Sequence, residues 1–576
     1  MSGVRFLLSE EAILLTSGEL SSQDRNLGNL LDFFGVSWRA ASPEKLFSNR
    51  DSNPSRLRLL CSSDHFSVLV SQLEKNSEHA QWWRAKMHSA FVYAGRDLSS
   101  LDKLAKVGGG YGGNFVVSKN LPDFSGVMTG LQIRMESSNS DAGFVSPSDS
   151  IAIITSDRDA AFVKSEFEGV PVFLCASGRL VDIESELAGG VFDIRDHVLE
   201  ALPVVLYIRW AFSKTSWSAP EQNACLVIDD PLLKRQYGFV DYRELLSVME
   251  RYKFSTNIAF IPWNWGRTDP GVAKLFRENP EHYSISVHGC AHTRAEFASD
   301  DLPQLYGKTE EALRQMRQHE VTTGIVHDRV MVFPQGMFSA AATSILKQSE
   351  FIAAVATNTI SADANPRPIT IADVWSTALM AHSGFPMFTR RYPSSGLENF
   401  AFDSLLGKPI IIVTHHDFCR DRYIHLIDLV ERLNALGAPL RWRSLAELVR
   451  RSWRQRAFST DVMQIEMFGK ELLFENSTDL TRQILMQRRE SDPKAIAEVV
   501  AGDHAISWKH NSDHIQFELE VKSGEAAMVR LRYHKLEDMQ KATKNLNDRA
   551  RAMLRRYLCE LRDNYVHKVI SLSNGG

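Results

Sequence analysis

The sequence predicts a multidomain α/β protein in which a parallel β/α barrel lies between an N-terminal α/β layered domain and a C-terminal antiparallel β module with a last helix. Two observations support this prediction. Apolar runs of strand length alternate with helical segments from about residue 10 to 450, and a two-residue alternation replaces them beyond about residue 455. The length of 576 residues fits roughly two to four domains. We expect the domains to be 1–215, 216–455 and 456–576.

The N-terminal region has short apolar runs, such as VPVFLCASG, between segments of helical periodicity, such as SQDRNLGNLLDFFG. This alternation is typical of an open α/β unit, and its outline is similar to flavodoxin-like and glutamine-amidotransferase-like modules. No nucleophile elbow or triad spacing supports an activity there. We therefore expect an accessory domain.

The middle region repeats a strand-then-helix unit in which each strand ends in polar, Gly or Pro residues. The strands are ACLVIDDP, STNIAFIP, YSISVHG, DRVMVFPQG, FIAAVATN and KPIIIVTHHD. Repeated units of this kind predict a parallel barrel. In such a barrel, the residues after the carboxyl ends of the strands all open onto one face, where ligands bind.

The C-terminal region alternates apolar and polar residues, as in Ile515, Phe517, Leu519 and Val521. This pattern predicts a β-sandwich-like module with one face in water. A last helix follows, in which apolar residues recur every three or four positions. We expect its apolar side to pack onto its own chain, and a homo-oligomer formed through this helix is the alternative.

Composition and charge exclude several partners. With 66 basic and 70 acidic residues, the chain has a formal charge of −4 and no basic field for a nucleic acid. No stretch approaches the roughly 20 apolar residues of a membrane span, and the N-terminus lacks a signal-peptide core. The six cysteines are scattered without the spacing of a disulfide framework, which indicates a reducing compartment. We expect a cytoplasmic protein.

The predicted strand ends carry residues suited to metal-dependent hydrolysis. They are Asp229 and Asp230, Trp263 and Trp265, His288 and His292, Pro334 and Gln335, and His415 and His416. Two imidazoles and one carboxylate make three ligands for zinc or a similar divalent ion. Side chains alternate along a strand, so one of the two neighbouring aspartates is free to act as a general base. A histidine on the last strand can protonate a departing amine.

The order VIDDP, HGCAH, FPQG and IIVTHHD resembles the motifs of the polysaccharide deacetylase superfamily, carbohydrate esterase family four in the broad sense. The resemblance covers roughly residues 220 to 450 and implies a deformed (β/α)7 barrel that removes N- or O-acetyl groups from amino sugars. It further implies that Asp229 is the catalytic base, that a backbone N–H near Gln335 completes an oxyanion site, and that His415 or His416 is the acid. The metal ligands that it implies are Asp230, His288 and His292.

The chain departs from this family pattern at several positions. Pro231 follows the Asp pair where the family has Gly, and Gly289 follows the first histidine where the family has Ser or Thr. Val332 stands where the family has an Arg that orients the base, and Arg390 or Arg391 is a possible replacement.

Three aromatic residues, Trp263, Trp265 and Trp375, are candidates for stacking on sugar rings because flat aromatic faces give broad apolar contact. Packing in a lid or in the core is the alternative for each of them.

These observations favour a metal-dependent carbohydrate deacetylase, most simply with Zn²⁺, that acts on an amino-sugar glycan or glycan precursor. One alternative is a glycoside hydrolase on a deformed barrel, which needs two carboxylates flanking the bond. Another alternative is a catalytically silent carbohydrate-binding or assembly protein.

Overall fold

The computed structural model describes residues 10–47, 57–95, 101–102, 104–135, 143–145, 150–459, 462–536 and 546–566. These residues form α/β layers around a curled parallel sheet, followed by two smaller sheets and a helix. Among the described helices, none is both long enough and apolar enough to cross a membrane.

The described residues of the N-terminal region form one sheet of eleven strands. Its strands are β1 (Glu11–Leu15), β2 (Trp38–Ala41), β3 (Leu57–Ser62), β4 (Met87–Tyr93), β5 (Val107–Gly108), β6 (Asn114–Val117), β7 (Gln132–Arg134), β8 (Gly143–Phe144), β9 (Ile151–Ser156), β10 (Ala160–Phe167) and β11 (Val170–Cys175). Its helices are α1 (Ser22–Phe33), α2 (Pro43–Leu46), α3 (Ser63–Lys75), α4 (Ser77–Lys86), α5 (Pro122–Ser125) and α6 (Val198–Ala211).

This sheet is parallel only in part. Strands β2, β1, β3, β4 and β11 pair in parallel, as predicted for an open α/β unit. Beyond β11 the order continues through β10, β9, β6 and β7 with antiparallel pairing, which the sequence pattern did not indicate. Short turns join β9 to β10 and β10 to β11, and such turns can connect only antiparallel neighbours.

The middle region contains the curled sheet. Its strands are β12 (Gln222–Asp229), β15 (Thr256–Phe260), β16 (Tyr283–His288), β17 (Asp328–Val332), β18 (Ala353–Ala356), β19 (Met387–Thr389), β20 (Ile410–Thr414) and β21 (Leu440–Trp442), with β13 (Gln236–Tyr237) and β14 (Val240–Asp241) in a separate hairpin. Its helices are α7 (Tyr242–Tyr252), α8 (Pro270–Glu278), α9 (Leu302–Thr323), α10 (Ala340–Lys347), α11 (Ile371–Trp375), α12 (Leu397–Leu406), α13 (Ile424–Asn434) and α14 (Leu445–Arg450).

Seven strands pair in the order β19, β18, β17, β16, β15, β12, β20, all in parallel. A parallel bridge from Arg391 to Ile412 joins the two ends of this order, beside β19 and β20. Of the predicted parallel β/α barrel, a curled parallel sheet in an α/β region is therefore confirmed. The parallel strands bring their carboxyl ends to one face.

The strand residues alternate between two cores. Cys225 and Val227 pack inside the curl with Val332, Val355 and Phe388. The intervening residues of β12 pack outward in a core that continues into the N-terminal sheet. This shared core joins the first two regions, and the domain boundaries at 215/216 and 455/456 stay predictions.

In the part of the C-terminal region that the structure describes, two sheets enclose one core. The strands are β22 (Arg454–Ala457), β23 (Val462–Glu466), β24 (Glu471–Glu475), β25 (Arg482–Arg489), β26 (Ile496–Ala501), β27 (His504–Ala505), β28 (Lys509–Asn511), β29 (His514–Val521) and β30 (Ala526–Tyr533), followed by helix α15 (Leu546–Leu561). The pairing is antiparallel except between β23 and β25.

Candidate active site

Two consecutive aspartates at the end of β12 serve different partners. Asp229 is the last residue of the strand, and Asp230 adopts a left-handed backbone with φ of 80°. The Asp230 carboxylate is turned toward His288 and His292, whereas the Asp229 carboxylate contacts Arg390. The strained backbone of a non-glycine residue at this point is the local feature that separates the two carboxylates.

Asp230, His288 and His292 form a compact set of donor atoms. Asp230 Oδ1 lies 3.2 Å from His292 Nε2 and 3.6 Å from His288 Nε2, and one ligand atom from each residue lies within 4.8 Å of the others. Asp230 Oδ1 is buried and accepts no hydrogen bond from any described residue. A buried carboxylate oxygen facing two imidazole nitrogens fits a divalent cation, because oxygen and nitrogen donors of this kind hold zinc.

Hydrogen bonding sets the tautomer of His288. Its Nδ1 lies 3.0 Å from the carbonyl oxygen of Val332, which can only accept, so Nδ1 carries the proton. The lone pair of Nε2 then faces Asp230, as metal ligation requires. Burial, followed by the neighbouring His288, lowers the pKa of His292 to about 4 against the opposing effect of Asp230. His292 is therefore neutral near pH 7, which is the form that can bind a metal.

Glu296 organises the loop that carries His292. Its carboxylate accepts hydrogen bonds from the backbone N–H groups of Cys290, Ala291 and His292 at 2.9, 2.9 and 3.1 Å. Gly289 has φ of 64°, and a Cβ there would lie 2.5 Å from Glu296 Oε2. This close approach accounts for glycine after the first histidine. Sequence reasoning missed Glu296, although an acid four residues after a His-x-x-x-His pair was the available signal.

Arg390 holds Asp229 through a bidentate ion pair. Its Nη1 and Nη2 donate to Asp229 Oδ1 and Oδ2 at 2.7 and 2.8 Å, and both side chains are buried. Burial raises the pKa of Asp229, but Arg390, with smaller contributions from His288 and His415, outweighs it and keeps the pKa below its usual range. The neighbouring Arg391 instead pairs with Asp403. Of the two arginines that the sequence left open, Arg390 is the one in contact with Asp229.

His415 and His416 lie in different surroundings. Ile411 packs inside the curl and Ile412 packs outside, so two-residue alternation places His415 on the inner side. Its ring stacks with that of Tyr392 at a centroid distance of 6.3 Å. His416 lies beside Phe239 instead, with Nε2 3.7 Å from Asp563 Oδ1.

Four of the five predicted substrate-binding residues lie in turns at the strand-end face. Trp263 and Trp265 are half-buried in the turn after β15, and Trp263 N–H donates to Cys290 O at 3.1 Å. Pro334 is buried, and Gln335 Oε1 accepts from Ala295 N–H at 3.1 Å.

The structure does not bring Trp375 to this face, and its prediction as a sugar platform is wrong. Its side chain is 1% exposed and packs edge-on against Phe33, Phe192 and Phe402 in the outer core. A ring enclosed in this way has no free face for a sugar.

Helix α15 reaches the strand-end face with its polar side, which the sequence pattern did not indicate. Glu560 forms ion pairs with Lys234 and Arg267, which lie in the loops after β12 and β15. Arg556 Nη2 donates to His292 O at 3.4 Å. The helix therefore lies against the rim of the candidate site.

The residues after α15 add two further contacts to this rim. Tyr237 O–H donates to Asp563 Oδ2 at 2.7 Å, and Gly238 N–H donates to Asn564 Oδ1 at 2.8 Å. Burial raises the pKa of Asp563, but hydrogen bonds from His416, Arg562 and Tyr237 outweigh it and hold the pKa well below its usual range. Asp563 is therefore an anion beside His416.

Comparison with known proteins gives a distant likeness. No protein-family model and no curated protein matches the chain. Among solved structures, a protein from Mycobacterium smegmatis with a provisional assignment as a polysaccharide deacetylase shares 13% identity over 40% of this chain and 91% of its own, with a TM-score of 0.28. Peptidoglycan deacetylase PdaC from Bacillus subtilis shares 10% identity over 40% and 90%, with a TM-score of 0.24.

A family 4 acetyl xylan esterase from Clostridium thermocellum, solved with a cobalt ion, shares 12% identity over 39% of this chain and 90% of its own, with a TM-score of 0.24. These neighbours are carbohydrate esterases and deacetylases by name. Identities and TM-scores at this level carry no argument about function.

Proposed function

We propose that this protein is a metal-dependent deacetylase that hydrolyses the N-acetyl or O-acetyl groups of an amino-sugar glycan or glycan precursor. The observation that supports it is the buried Asp230 oxygen, without a hydrogen-bond donor among the described residues, facing the Nε2 atoms of His288 and His292. A second carboxylate, that of Asp229, lies beside this set and is held by Arg390. Residues 216–455 would be the catalytic domain, with accessory domains on either side.

The side chains of Asp230, His288 and His292 suit a divalent cation, most simply Zn²⁺. When bound, such an ion polarises an acetyl carbonyl and lowers the pKa of a coordinated water toward about 7. Asp230, His288 and His292 would hold the ion, since the tautomer of His288 leaves its Nε2 free to ligate and the neutral His292 has one unprotonated ring nitrogen. Glu296 would keep the loop of His292 in place.

Asp229 would act as the general base. Its lowered pKa keeps it ionised at neutral pH, so it can accept a proton from the attacking water. The bidentate contact with Arg390 fixes both carboxylate oxygens and therefore the direction in which the base points.

His415 would act as the general acid, because alternation along β20 places it on the inner side with Asp229. It would donate a proton to the departing amine or hydroxyl of the sugar. The half-buried rings of Trp263 and Trp265 would contact the sugar, and a backbone N–H at Gln335 would bind the developing oxyanion.

Two alternatives lose support from the same contacts. A glycosidase needs a protonated carboxyl as its acid, whereas Asp229 is bonded to Arg390 and its pKa is lowered rather than raised. The alternative of a catalytically silent binding or assembly protein depends on the lack of an arginine at position 332, where this chain has Val332. Arg390 provides a guanidinium beside Asp229 from another part of the sheet.

Elemental analysis of the purified protein, with wild type beside His292→Ala and Asp229→Asn, tests the proposal. We expect about one zinc or similar ion per chain in wild type and Asp229→Asn and none in His292→Ala. Acetate release from acetylated amino sugars should require the metal and should be absent in Asp229→Asn. A wild-type protein that binds no metal even after supplementation would refute the proposal, and equal metal loss in both variants would refute the assignment of Asp229 as the base.

A further inference from the structure

Helix α15 is amphipathic, but its orientation is the reverse of the usual one. In residues 553–561, where the structure describes the side chains, its polar side faces the protein and its large apolar side chains face solvent. The exposed ones are Met553 (53%), Leu554 (61%), Tyr557 (50%), Leu558 (55%) and Leu561 (53%). At 100° per residue, they fall within an arc of about 140° on one side of the helix. Contiguous exposed apolar patches of this kind mark interaction surfaces.

The charges of α15 and the residue after it are sorted in the same way. Glu560, which faces Lys234 and Arg267, is largely buried. Arg555 and Arg562 lie at one edge of the apolar side. The side chain of Arg562 is 59% exposed, and its Nε pairs with the buried carboxylate of Asp563 at 2.7 Å. Among residues 553–562, whose side chains the structure describes, the outer side therefore presents apolar groups and arginines without an outward carboxylate.

A shallow groove runs along this outer side. It has a volume of about 320 Å³ and is lined by Leu554, Arg555, Leu558, Cys559 and Arg562. Two guanidinium groups beside an apolar channel match a phospholipid, whose phosphate is anionic and whose acyl chains are apolar.

We propose that α15 is a docking helix for the surface of an anionic lipid bilayer. Its apolar side would enter the boundary between headgroups and acyl chains, and Arg555 and Arg562 would contact lipid phosphates. A second copy of the chain paired in antiparallel fashion through this helix side fits less well, because the two arginine edges would meet without an outward carboxylate to compensate.

The docking surface and the candidate site are joined through this helix. Its inner side contacts Arg267 and His292 on the loops that carry the site, so a bilayer bound to the outer side would lie next to the rim of the site. If the protein is the proposed deacetylase, deacetylation takes place at a membrane surface. Binding of the bilayer by α15 does not itself depend on the proposed function.

Vesicle sedimentation with the full-length protein tests the proposal. The probes are vesicles of phosphatidylcholine alone and vesicles of phosphatidylcholine and phosphatidylglycerol in equal parts. We expect sedimentation with the anionic vesicles, weakened at least about tenfold in the double variant Leu554→Glu and Leu558→Glu. The matched control, Val321→Glu with Val326→Glu, adds the same charge at valines that are 82% and 72% exposed elsewhere, and it should bind like wild type.

Three results would overturn the proposal. They are a wild type that stays in the supernatant with anionic vesicles, equal weakening in both double variants, and a dimer by light scattering that the leucine variant dissociates while no vesicles bind. Metal content, measured on the same samples, should be equal in all variants. A wild type without metal that still sediments would refute the proposed function and leave the docking helix standing.

Discussion

The guanidinium of Arg390 reaches the carboxylate of Asp229 from a different strand, 161 residues later in the chain, and binds both of its oxygens. The two residues lie at the ends of β19 and β12, which are not neighbours in the sheet order. The curl of the sheet is what brings them together. The proposed base and the cation that would orient it thus come from separate parts of the chain.

Arg390→Lys should lower kcat/KM by about 10- to 100-fold while metal content stays unchanged, because an ammonium group cannot make the bidentate contact with Asp229. Steady-state kinetics and elemental analysis check this. Arg391→Lys is the matched control, since the same change one residue later affects the buried pair with Asp403. Equal loss of activity per folded molecule in both variants would contradict the orienting role of Arg390.

Glu296→Gln should weaken metal binding by about 10- to 100-fold, because one amide oxygen cannot replace a carboxylate that accepts from three N–H groups. Competition with a chelator measures the affinity. Glu350→Gln, at an exposed ion pair with Arg317, is the control and should bind metal like wild type. Unchanged affinity in Glu296→Gln would show that the loop holds His292 without this carboxylate.

His415→Ala should reduce kcat by about 100-fold or more, as expected for removal of a general acid, whereas His416→Ala should stay within about tenfold of wild type. The reason is their position, since alternation along β20 places His415 on the side of Asp229, and His416 contacts Phe239 and Asp563. Kinetics of the two variants at equal metal loading compares them. The reverse order would assign the acid to His416.

The free energy of unfolding should decrease as the pH is lowered, because of the buried residue His319. This residue lies outside the candidate site, and its Nε2 is 2.8 Å from Thr268 Oγ1. Burial, with a smaller contribution from His327, lowers its pKa to about 4, whereas the unfolded value is about 6.5. The unfolded chain then binds more protons between these values, so stabilisation present above pH 6.5 is lost as the pH falls to 4.

Chemical denaturation of wild type and His319→Gln at pH 7 and pH 4 measures this effect. When the pH falls from 7 to 4, the free energy of unfolding should decrease by about 3 kcal/mol more in wild type than in His319→Gln. His425→Gln, at an exposed histidine, should follow wild type. Parallel losses in wild type and His319→Gln would contradict the prediction.

The curled parallel sheet was predictable because its strands are buried on both faces and appear as uninterrupted apolar runs. The polar strand ends follow from the same pattern, so Asp230, His288 and His292 could be chosen from the sequence. Their common face requires only that the strands be parallel.

Contacts that depend on curvature or on distant chain segments were not predictable. The choice between Arg390 and Arg391 depends on which side of β19 each one faces where the sheet closes. Trp375 is of a residue type that stacks on sugar rings, yet three phenylalanine rings enclose it. The apolar period of α15 predicts an inward apolar side, and ion pairs of Glu560 reverse that orientation.

Helix α15 follows the residues of the candidate site along the chain, so the site is assembled in two stages. Arg556 follows His292 by 264 residues, and a chain is synthesised from its N-terminus and folds region by region. Asp230, His288 and His292 therefore leave the ribosome long before α15 exists to contact their loops. During synthesis, the rim around these three residues therefore stays uncovered until the helix closes against it.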